Sequence, residues 1–239
     1  MPEMIKLREY QEEAIAAVLK AEEEGQRRNL LVLFTGGGKT IIFGALTSRT
    51  PGRTLILTHR DELLKQAVDK LTQVNPALVL GMGVVKAERN DIHARVVVAS
   101  VQTLARQRRR ANLGQFERVI ADESHHAVSP SWRNILTDVG VFEPDGPSLL
   151  GVTATPMRSD GIGLGALFEG IVYERDILWG LRNQYLCDLR GIQVRLDLDL
   201  DAVKTNAGDF ADGALGEARE EAGAPEHIAA AYLQHASDR

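Results

Sequence analysis

Residues 30–40 of this chain, LLVLFTGGGKT, decide the fold. The apolar run 30–34 predicts a buried strand, and the apolar run that follows the segment, residues 41–46, predicts a helix. Between them lie three successive glycines, Gly36, Gly37 and Gly38. Glycine lets backbone N–H groups turn towards an anion without a clash at Cβ, and a helix that begins there adds positive potential. The segment therefore predicts a phosphate-binding loop between a strand and a helix.

The residues that surround these glycines have the chemistry of a nucleotide site. Lys39 is expected to reach the β- and γ-phosphates, and the Thr40 hydroxyl to ligate Mg²⁺. Thr35 completes the predicted phosphate cradle. The general pattern G-x-x-x-x-G-K-[ST] has glycine where this chain has Leu33. The alternative is a glycine-rich strand-to-helix turn that is followed by Lys and Thr by chance.

A second stretch, residues 119–126, supports the nucleotide site. It reads VIADESHH, an apolar strand that ends in the carboxylates of Asp122 and Glu123. In a parallel sheet, ligands bind at the carboxyl ends of the strands. We therefore expect Asp122 to hold Mg²⁺, usually through water, and Glu123 to orient and deprotonate the attacking water. Alone, Asp-Glu after a strand is more often a loop or a helix cap, but the two motifs in this order favour catalysis.

The apolar segments predict a doubly wound α/β domain with a mostly parallel sheet flanked by helices. Residues 55–57 and 96–98 are apolar without alternation, which is typical of strands buried on both faces. The predicted strands span residues 30–34, 53–58, 77–82, 95–99, 118–121, 148–152, 171–174 and 190–196. The predicted helices span residues 6–24, 41–46, 61–73, 101–109, 131–137, 162–168, 176–183 and 225–234. Residues 206–216 are rich in Gly, Ala and Asp and are expected to form an irregular linker.

The composition is that of an ordinary globular protein. The chain has 239 residues, of which 44% are hydrophobic and 26% charged, and its net charge is −5. Bulk charge therefore gives no indication of nucleic-acid binding, which would depend on local patches. The single cysteine, Cys187, excludes an internal disulfide, and we expect it to be buried among apolar side chains. We find no signal peptide and no apolar stretch of membrane-spanning length, so we expect a cytoplasmic protein without a membrane partner.

Residues 122–125, DESH, resemble motif II of the superfamily 2 helicases, the DEAD/DEAH group. Other motifs of this family occur in the family's order over about residues 5–190. They resemble the LRxYQ segment, motif Ia, the next nucleic-acid motif and motif III, and they lie at residues 7–11, 58–66, 98–104 and 151–156. The TGGGKT, DESHH and TATP forms most resemble the bacterial DNA-helicase branch related to type III restriction translocases, RadD and XPB.

The resemblance implies that this chain is the first, N-terminal RecA-like domain of a P-loop NTPase, a DNA helicase or translocase. Such a domain binds ATP and Mg²⁺, and the intact motor couples ATP hydrolysis to movement on single-stranded or duplex DNA. Motifs IV, V and VI, which belong to a second RecA-like domain, are not found in the sequence. We therefore expect residues 1–196 to form the first domain and residues 197–239 to lead into the second. Because the family supplies its transition-state arginines from motif VI, we expect this chain alone to bind ATP weakly and hydrolyse it slowly.

The resemblance also implies contacts with the adenine base and with nucleic acid. The Gln11 amide would read adenine and Arg8 would pack beside the base, whereas without the resemblance Gln11 would be a surface residue of an amphipathic helix. Arg60, Gln102 and Thr103 would contact phosphates and sugars, largely without sequence preference. The alternative for Arg60 is an exposed residue at the start of a helix.

A further set of residues would couple the two sides of the domain. By the resemblance, Thr153 and Thr155 would connect the nucleotide side with the nucleic-acid side, and His125 would link motif II to the second domain. The alternative for the two threonines is a turn capped by a hydroxyl. His125 and His126 are adjacent and have no third ligand nearby in sequence, which argues against a transition-metal site.

The sequence leaves the nucleic-acid substrate open. The basic run Arg106–Arg110 either extends the phosphate track or is a solvated helix end. One alternative function is a duplex-DNA translocase that acts in restriction, remodelling or repair without strand separation, and another is an RNA helicase. A third is a non-catalytic nucleic-acid-binding module, against which the intact residues Lys39, Thr40, Asp122 and Glu123 argue.

Overall fold

The computed structural model describes residues 5–59, 61–76, 81–86, 89–155, 164–189, 191–193, 205–206, 209–210 and 212–235. The chain divides into two compact units, Met1–Cys187 and Asp188–Arg239. The limit predicted for the first domain, residue 196, lies outside the described residues.

The first unit is a sheet of eight strands flanked by helices. The strands are β1 (Arg28–Leu33), β2 (Thr54–Thr58), β3 (Met82–Lys86), β4 (Arg89–Asn90), β5 (Val96–Ser100), β6 (Arg118–Asp122), β7 (Ser148–Thr153) and β8 (Gly170–Arg175). The helices are α1 (Glu9–Glu23), α2 (Lys39–Arg49), α3 (Asp61–Val74), α4 (Val101–Leu104), α5 (Gln107–Arg110), α6 (Pro130–Asp138) and α7 (Ile177–Arg182). The strand order is β4-β3-β5-β2-β6-β7-β1-β8, and every pair is parallel except β3 with β4. This confirms the predicted doubly wound, mostly parallel α/β fold.

Both faces of the sheet are covered, which explains the unbroken apolar runs. All residues of β2 and β5 are buried. Along β1, Leu31 and Leu33 pack in one core with residues of α1, α2 and α3. Leu30 and Val32 point to a second core, which contains Trp132 of α6. A strand covered on both faces needs apolar side chains at odd and even positions alike.

The predicted helix 101–109 is wrong, because two short helices replace it. The Arg110 guanidinium donates from Nη1 to the carbonyls of Leu104 and Ala105, both at 2.7 Å. These carbonyls would otherwise accept the hydrogen bonds of a continuing helix. Arg106 then adopts an extended backbone and begins α5 as its N-cap residue.

Three other predictions fall wholly or partly outside the described residues. The described part of the predicted helix 162–168 contains a single 3₁₀ turn, Leu164–Ala166, in a stretch where Gly165 lowers helix propensity. Strand β3 begins at Met82, and residues 77–80 are not described. Within the predicted strand 190–196, residues 191–193 have no regular structure and the others are not described.

The second unit contains more helix than the sequence predicts. A two-stranded hairpin of β9 (Thr205–Asn206) and β10 (Asp209–Phe210) precedes α8 (Asp212–Glu221) and α9 (Ala224–His235). The helix predicted at 225–234 is confirmed by α9. The irregular linker predicted over 206–216 is wrong, because α8 begins inside it. Glu, Ala and Arg fill the second half of α8, and their helix propensity outweighs the low propensity of its two glycines.

Two details concern the surface of the molecule. Cys187 is exposed, contrary to the buried position predicted for it. The neighbouring Leu186 takes the place in the core instead, where it packs against the apolar cluster of α1, α2 and α3. Within the described ranges, no helix is both long enough and apolar enough to cross a membrane.

The strand order places the motif loops side by side. Strand β1 leads into the glycine loop, and β6 leads into Asp122 and Glu123. Strand β7 lies between these two strands and ends at Thr153. The three strands are parallel, so their carboxyl ends lie at one edge of the sheet, where such folds bind ligands.

Candidate functional site

Two residues of the loop between β1 and α2 lie in the left-handed region. Gly36 has a φ of 87° and Gly38, the N-cap residue of α2, a φ of 84°. A side chain at position 38 would also bring its Cβ to 2.5 Å from Nε2 of Gln11. Both positions therefore require glycine. Because α2 begins at Lys39, the positive end of its dipole lies at this loop.

Helix α1 holds the glycine loop in place. The Tyr10 hydroxyl donates to the Gly37 carbonyl at 2.7 Å, and Gln11 Nε2 donates to the same oxygen at 3.1 Å. Gln11 Oε1 accepts from the Arg8 backbone N–H at 3.0 Å, and only 5% of the Gln11 surface is exposed. The alternative of a surface glutamine is therefore wrong. Each amide atom keeps capacity for one more hydrogen bond, and recognition of adenine stays a prediction.

An aromatic cluster lies beside the loop. Its members are Tyr10, Phe34, Trp179 and Tyr185, whose ring centroids are 4.6 to 6.2 Å apart in five pairs. The guanidinium of the exposed Arg8 lies 5.3 Å from the Tyr185 centroid, a cation–π distance. Arg8 is thus held near the loop, as a residue that packs beside the base must be. Its contact with adenine stays a prediction.

Two carboxylates lie at the carboxyl end of β6, Asp122 as its last residue and Glu123 directly after it. Glu123 has φ 52° and ψ 49°, which is uncommon for a residue other than glycine. Its backbone N–H donates to Asp122 Oδ1 at 3.1 Å. The Glu123 side chain meets the glycine loop, since its Oε1 lies 3.9 Å from Nζ of Lys39. The structure therefore brings Lys39, Asp122 and Glu123 together across the end of β7.

Asp122 carries a perturbed carboxyl group. Burial first, and the neighbouring Glu123 charge second, raise the pKa of Asp122 to about 6. Lys39, the hydrogen bond from the Glu123 N–H and Lys70 oppose this rise. The charge of Asp122 is therefore only partly compensated by the protein at neutral pH. A cation at this carboxylate would supply the missing compensation.

Replacing Asp122 with asparagine is expected to stabilise the nucleotide-free protein at about pH 8 by about 1–3 kcal/mol. The raised pKa means that folding with an ionised Asp122 costs free energy above about pH 6, and asparagine removes the charge at similar size. Between about pH 6 and pH 4 the folded wild type takes up this proton, so the difference in free energy of unfolding should disappear.

Urea unfolding of the two proteins at about pH 8 and about pH 4 measures this effect. Asp145→Asn is the matched control, because Asp145 is exposed and precedes β7, at the opposite end of that strand from Thr153. Equal stability of Asp122→Asn and wild type at the higher pH would contradict the prediction. So would a difference that persists at the lower pH.

The predicted coupling residues contact one another. His125 Nδ1 lies 3.1 Å from Thr153 Oγ1, and Thr153 is fully buried. The same hydroxyl donates to the Thr155 carbonyl at 3.1 Å and accepts from the Thr155 N–H at 3.1 Å. The capped turn therefore exists alongside the contact with His125, and the two interpretations do not compete. A coupling role for these three residues stays a prediction.

The predicted nucleic-acid residues are only partly described. Gln102 is exposed on α4. The Thr103 N–H donates to Ser100 Oγ at 3.2 Å, and this hydroxyl donates to Thr103 Oγ1 at 3.0 Å, so Ser100 caps α4 and Thr103 is its hydrogen-bond partner. Both follow the carboxyl end of β5, at the same edge of the sheet as Asp122. Arg60 lies outside the described residues, and contact of all three with nucleic acid stays a prediction.

The basic run 106–110 is not uniform. Arg110 Nε lies 2.6 Å from Asp138 Oδ2 and the Arg110 side chain is 8% exposed, so Arg110 anchors α5. Arg109 Nη2 donates to the Arg89 carbonyl at 3.0 Å. Arg106 and Arg108 are exposed. The phosphate-track alternative therefore depends on Arg106 and Arg108 rather than on the whole run.

Residues 4–158, well over half of the chain, match the family described as type III restriction enzyme, res subunit. The chain belongs to this family. It is 35% identical over 216 residues to the putative ATP-dependent helicase IRC3 of Saccharomyces cerevisiae, a match that covers 85% of the chain and 31% of the relative. It is also 35% identical over 246 residues to the putative mitochondrial ATP-dependent helicase irc3 of Schizosaccharomyces pombe, covering 98% of the chain and 40% of the relative.

Solved structures agree on the fold of this res-subunit domain. A nuclease-deletion mutant of the type ISP restriction-modification enzyme LlaGI, in complex with a DNA substrate mimic, matches with a TM-score of 0.61 and 17% identity. The match covers 75% of the chain and 21% of LlaGI, and at this identity it shows the fold alone. Together, these comparisons confirm the predicted N-terminal RecA-like domain of a superfamily 2 ATP-dependent helicase. The chain spans less than half the length of the two curated relatives.

Sequence reasoning missed three side chains of this res-subunit domain. Tyr10 lies inside the quoted LRxYQ segment, yet its hydrogen bond to Gly37 depends on how α1 packs. His59 and His126 stack on each other with ring centroids 4.0 Å apart. Both histidines stood in recognised motifs, but they are 67 positions apart and no local signal pairs them.

Proposed function

We propose that this domain binds and hydrolyses Mg·ATP and that its protein uses the hydrolysis to move on DNA. The approach of Lys39 Nζ to Glu123 Oε1, 3.9 Å apart beside Asp122, carries the proposal. A partly buried lysine at the start of a helix, next to a glycine loop, offers its charge to an entering phosphate. The same approach supports Glu123 as the carboxylate that would meet a water molecule attacking that phosphate.

The residues present fit Mg²⁺. The Thr40 hydroxyl and the Asp122 carboxylate are oxygen ligands, which this hard cation prefers. In the part of the chain that the structure describes, no group of three or more His, Cys, Asp or Glu side chains could hold a metal alone. Mg²⁺ commonly keeps several waters and takes one or two carboxylates plus substrate phosphates, so a complete protein cage is not required. Bound Mg²⁺ supplies charge neutralisation to the phosphates.

Glu123 is the proposed base. When the γ-phosphate of ATP enters the loop, Lys39 exchanges Glu123 for the phosphate oxygens, and the Glu123 carboxylate is released to accept a proton from water. The water oxygen forms a bond to the γ-phosphorus while the bond from phosphorus to the bridging oxygen breaks and ADP leaves. Glu123 Oε1 lies near Lys39, whereas Asp122 Oδ1 accepts from the Glu123 N–H, so one carboxylate can hold a cation while the other accepts the proton.

DNA is the proposed nucleic acid, and a second RecA-like domain the proposed partner in the same protein. Two observations support DNA: the family is that of a restriction-enzyme subunit, and LlaGI shares the fold in a complex with a DNA mimic. The relatives extend well beyond the matched region, which leaves room for a second domain that supplies transition-state arginines. Duplex-DNA translocation without strand separation and RNA unwinding are the alternatives.

The proposal is tested on the longer protein, which means residues 1–239 together with the proposed second RecA-like domain. Its ATP turnover is measured with single-stranded DNA, duplex DNA and RNA. We expect DNA to stimulate turnover of the longer protein, and residues 1–239 alone to stay near background because the second domain is missing. Absence of stimulation by any nucleic acid would overturn the motor function. Brisk DNA-stimulated turnover by residues 1–239 would overturn the need for a second domain, and stimulation by RNA alone would favour the RNA helicase.

A further inference from the structure

Three histidine rings, two stacked and one tilted, contact one another in a row at the carboxyl edge of the sheet and are called here the histidine stack. His59 follows β2, whereas His125 and His126 lie in the 3₁₀ turn after β6. The rings of His59 and His126 are stacked, with centroids 4.0 Å apart and an interplanar angle of 18°. The rings of His126 and His125 are 4.1 Å apart at 46°. The stack therefore bridges two neighbouring strand ends.

One end of this histidine stack reaches the catalytic carboxylate. His125 Nδ1 lies 3.5 Å from Glu123 Oε2, and Glu123 Oε1 lies 3.9 Å from Lys39 Nζ. The same His125 nitrogen lies 3.1 Å from the buried hydroxyl of Thr153. Side-chain contacts thus run without a break from the glycine loop, through Glu123, to His59. The next residue after His59 is Arg60, which the sequence predicts to contact nucleic acid.

The geometry suits transmission of a displacement rather than metal binding. Face-to-face rings direct their nitrogens outward from the stack instead of towards one point, and the structure offers no metal-holding group of three or more such residues among those it describes. The three rings are partly buried and in contact, so we expect a shift of one ring to displace the next. Ser124 and Ala127 are fully buried and anchor the turn at both sides. The histidine rings are therefore the part of this turn that can respond.

We propose that His59 and His126 are positioning residues. They set the position of the Glu123 carboxylate when nucleic acid binds at the loop that follows β2. The proposal rests on the function proposed above, because it requires both a nucleic-acid ligand and ATP hydrolysis. When nucleic acid binds beside His59, the His59 ring sets the position of His126, and through His125 that of the Glu123 carboxylate. Nucleic acid then raises ATP turnover because it aligns the Glu123 carboxylate, and not because it tightens nucleotide binding.

Single and double alanine variants of His59 and His126 in the longer protein test this route. Nucleic-acid stimulation of ATP turnover is expected to fall about 2- to 30-fold in each variant, while unstimulated turnover and the KM for ATP stay at wild-type values. The double variant should lose no more stimulation than the more impaired of the two single variants, because both residues act in one path. His126→Phe keeps a flat ring for stacking on His59 and should restore most of the stimulation.

His93→Ala is the matched control, since His93 is an exposed histidine of the same domain. Thermal melting of every variant identifies those that fail to fold, and His126→Phe keeps the test decisive if an alanine variant does fail. Wild-type stimulation in both alanine variants, or additive losses in the double variant, would overturn this inference but leave the proposed function intact. If the wild type itself shows no stimulation, the proposed function fails instead, so the two failures are distinguishable.

Discussion

Glu123→Gln is expected to reduce ATP turnover about 10²- to 10⁴-fold while nucleotide binding persists. Glutamine has the size of glutamate and accepts hydrogen bonds, but it cannot take a proton from water. Its side chain also leaves Lys39 without the carboxylate that lies 3.9 Å from Nζ in the nucleotide-free protein. Lys39 then meets less competition for the phosphates, so we expect ATP affinity to be equal to or higher than that of the wild type.

Steady-state turnover and equilibrium binding of a fluorescent ATP analogue measure the two effects separately. Glu24→Gln is a suitable control, since the Glu24 side chain is exposed on the surface and pairs with the exposed Lys20. A loss of turnover that follows a matching loss of affinity would mean that Glu123 binds nucleotide rather than acting as the base. Unchanged turnover would mean that another residue accepts the proton from water.

The sequence predicts most of the sheet because the cause of each strand is local. Every residue of β2 and β5 is buried, and a strand covered on both faces must be apolar at each position. The ends of β1 and β6 were equally predictable, since glycine or paired carboxylates follow an apolar run there. The convergence of Lys39 with Glu123 then follows from parallel strands that share one edge.

Other features depend on contacts between distant parts of the chain and leave no local signal. The break between α4 and α5 exists because Arg110 reaches back to two carbonyls, a contact that the helix propensity of residues 101–109 does not reveal. Gln11 is buried because Gly37 lies against α1. The backbone of Glu123 is left-handed although the residue has no propensity for that region.

Lys39→Ala is expected to lower ATP turnover about 10²- to 10³-fold and to weaken ATP binding as well. The variant removes the side chain that would neutralise the transferring phosphate, so both the bound state and the transition state lose stabilisation. Lys39→Arg is expected to recover little activity, because a planar guanidinium does not replace a compact ammonium in a space bounded by Gly38 and Glu123. If Lys39→Ala turned over ATP at nearly the wild-type rate, Lys39 would not be the residue that neutralises the phosphate.

The pH dependence separates this direct role of Lys39 from its effect on Asp122. Lys39 and Lys70 both lower the pKa of Asp122 against the rise caused by burial, so removal of either lysine should raise that pKa above about 6. If Asp122 must be ionised to hold the cation, the acid limb of the rate profile moves to higher pH in both variants. Lys70→Ala should keep the wild-type plateau, because Lys70 lies on α3 outside the glycine loop, whereas Lys39→Ala should lose it. A lowered plateau in both variants would mean that the charge around Asp122, and not contact with phosphate, accounts for the effect of Lys39.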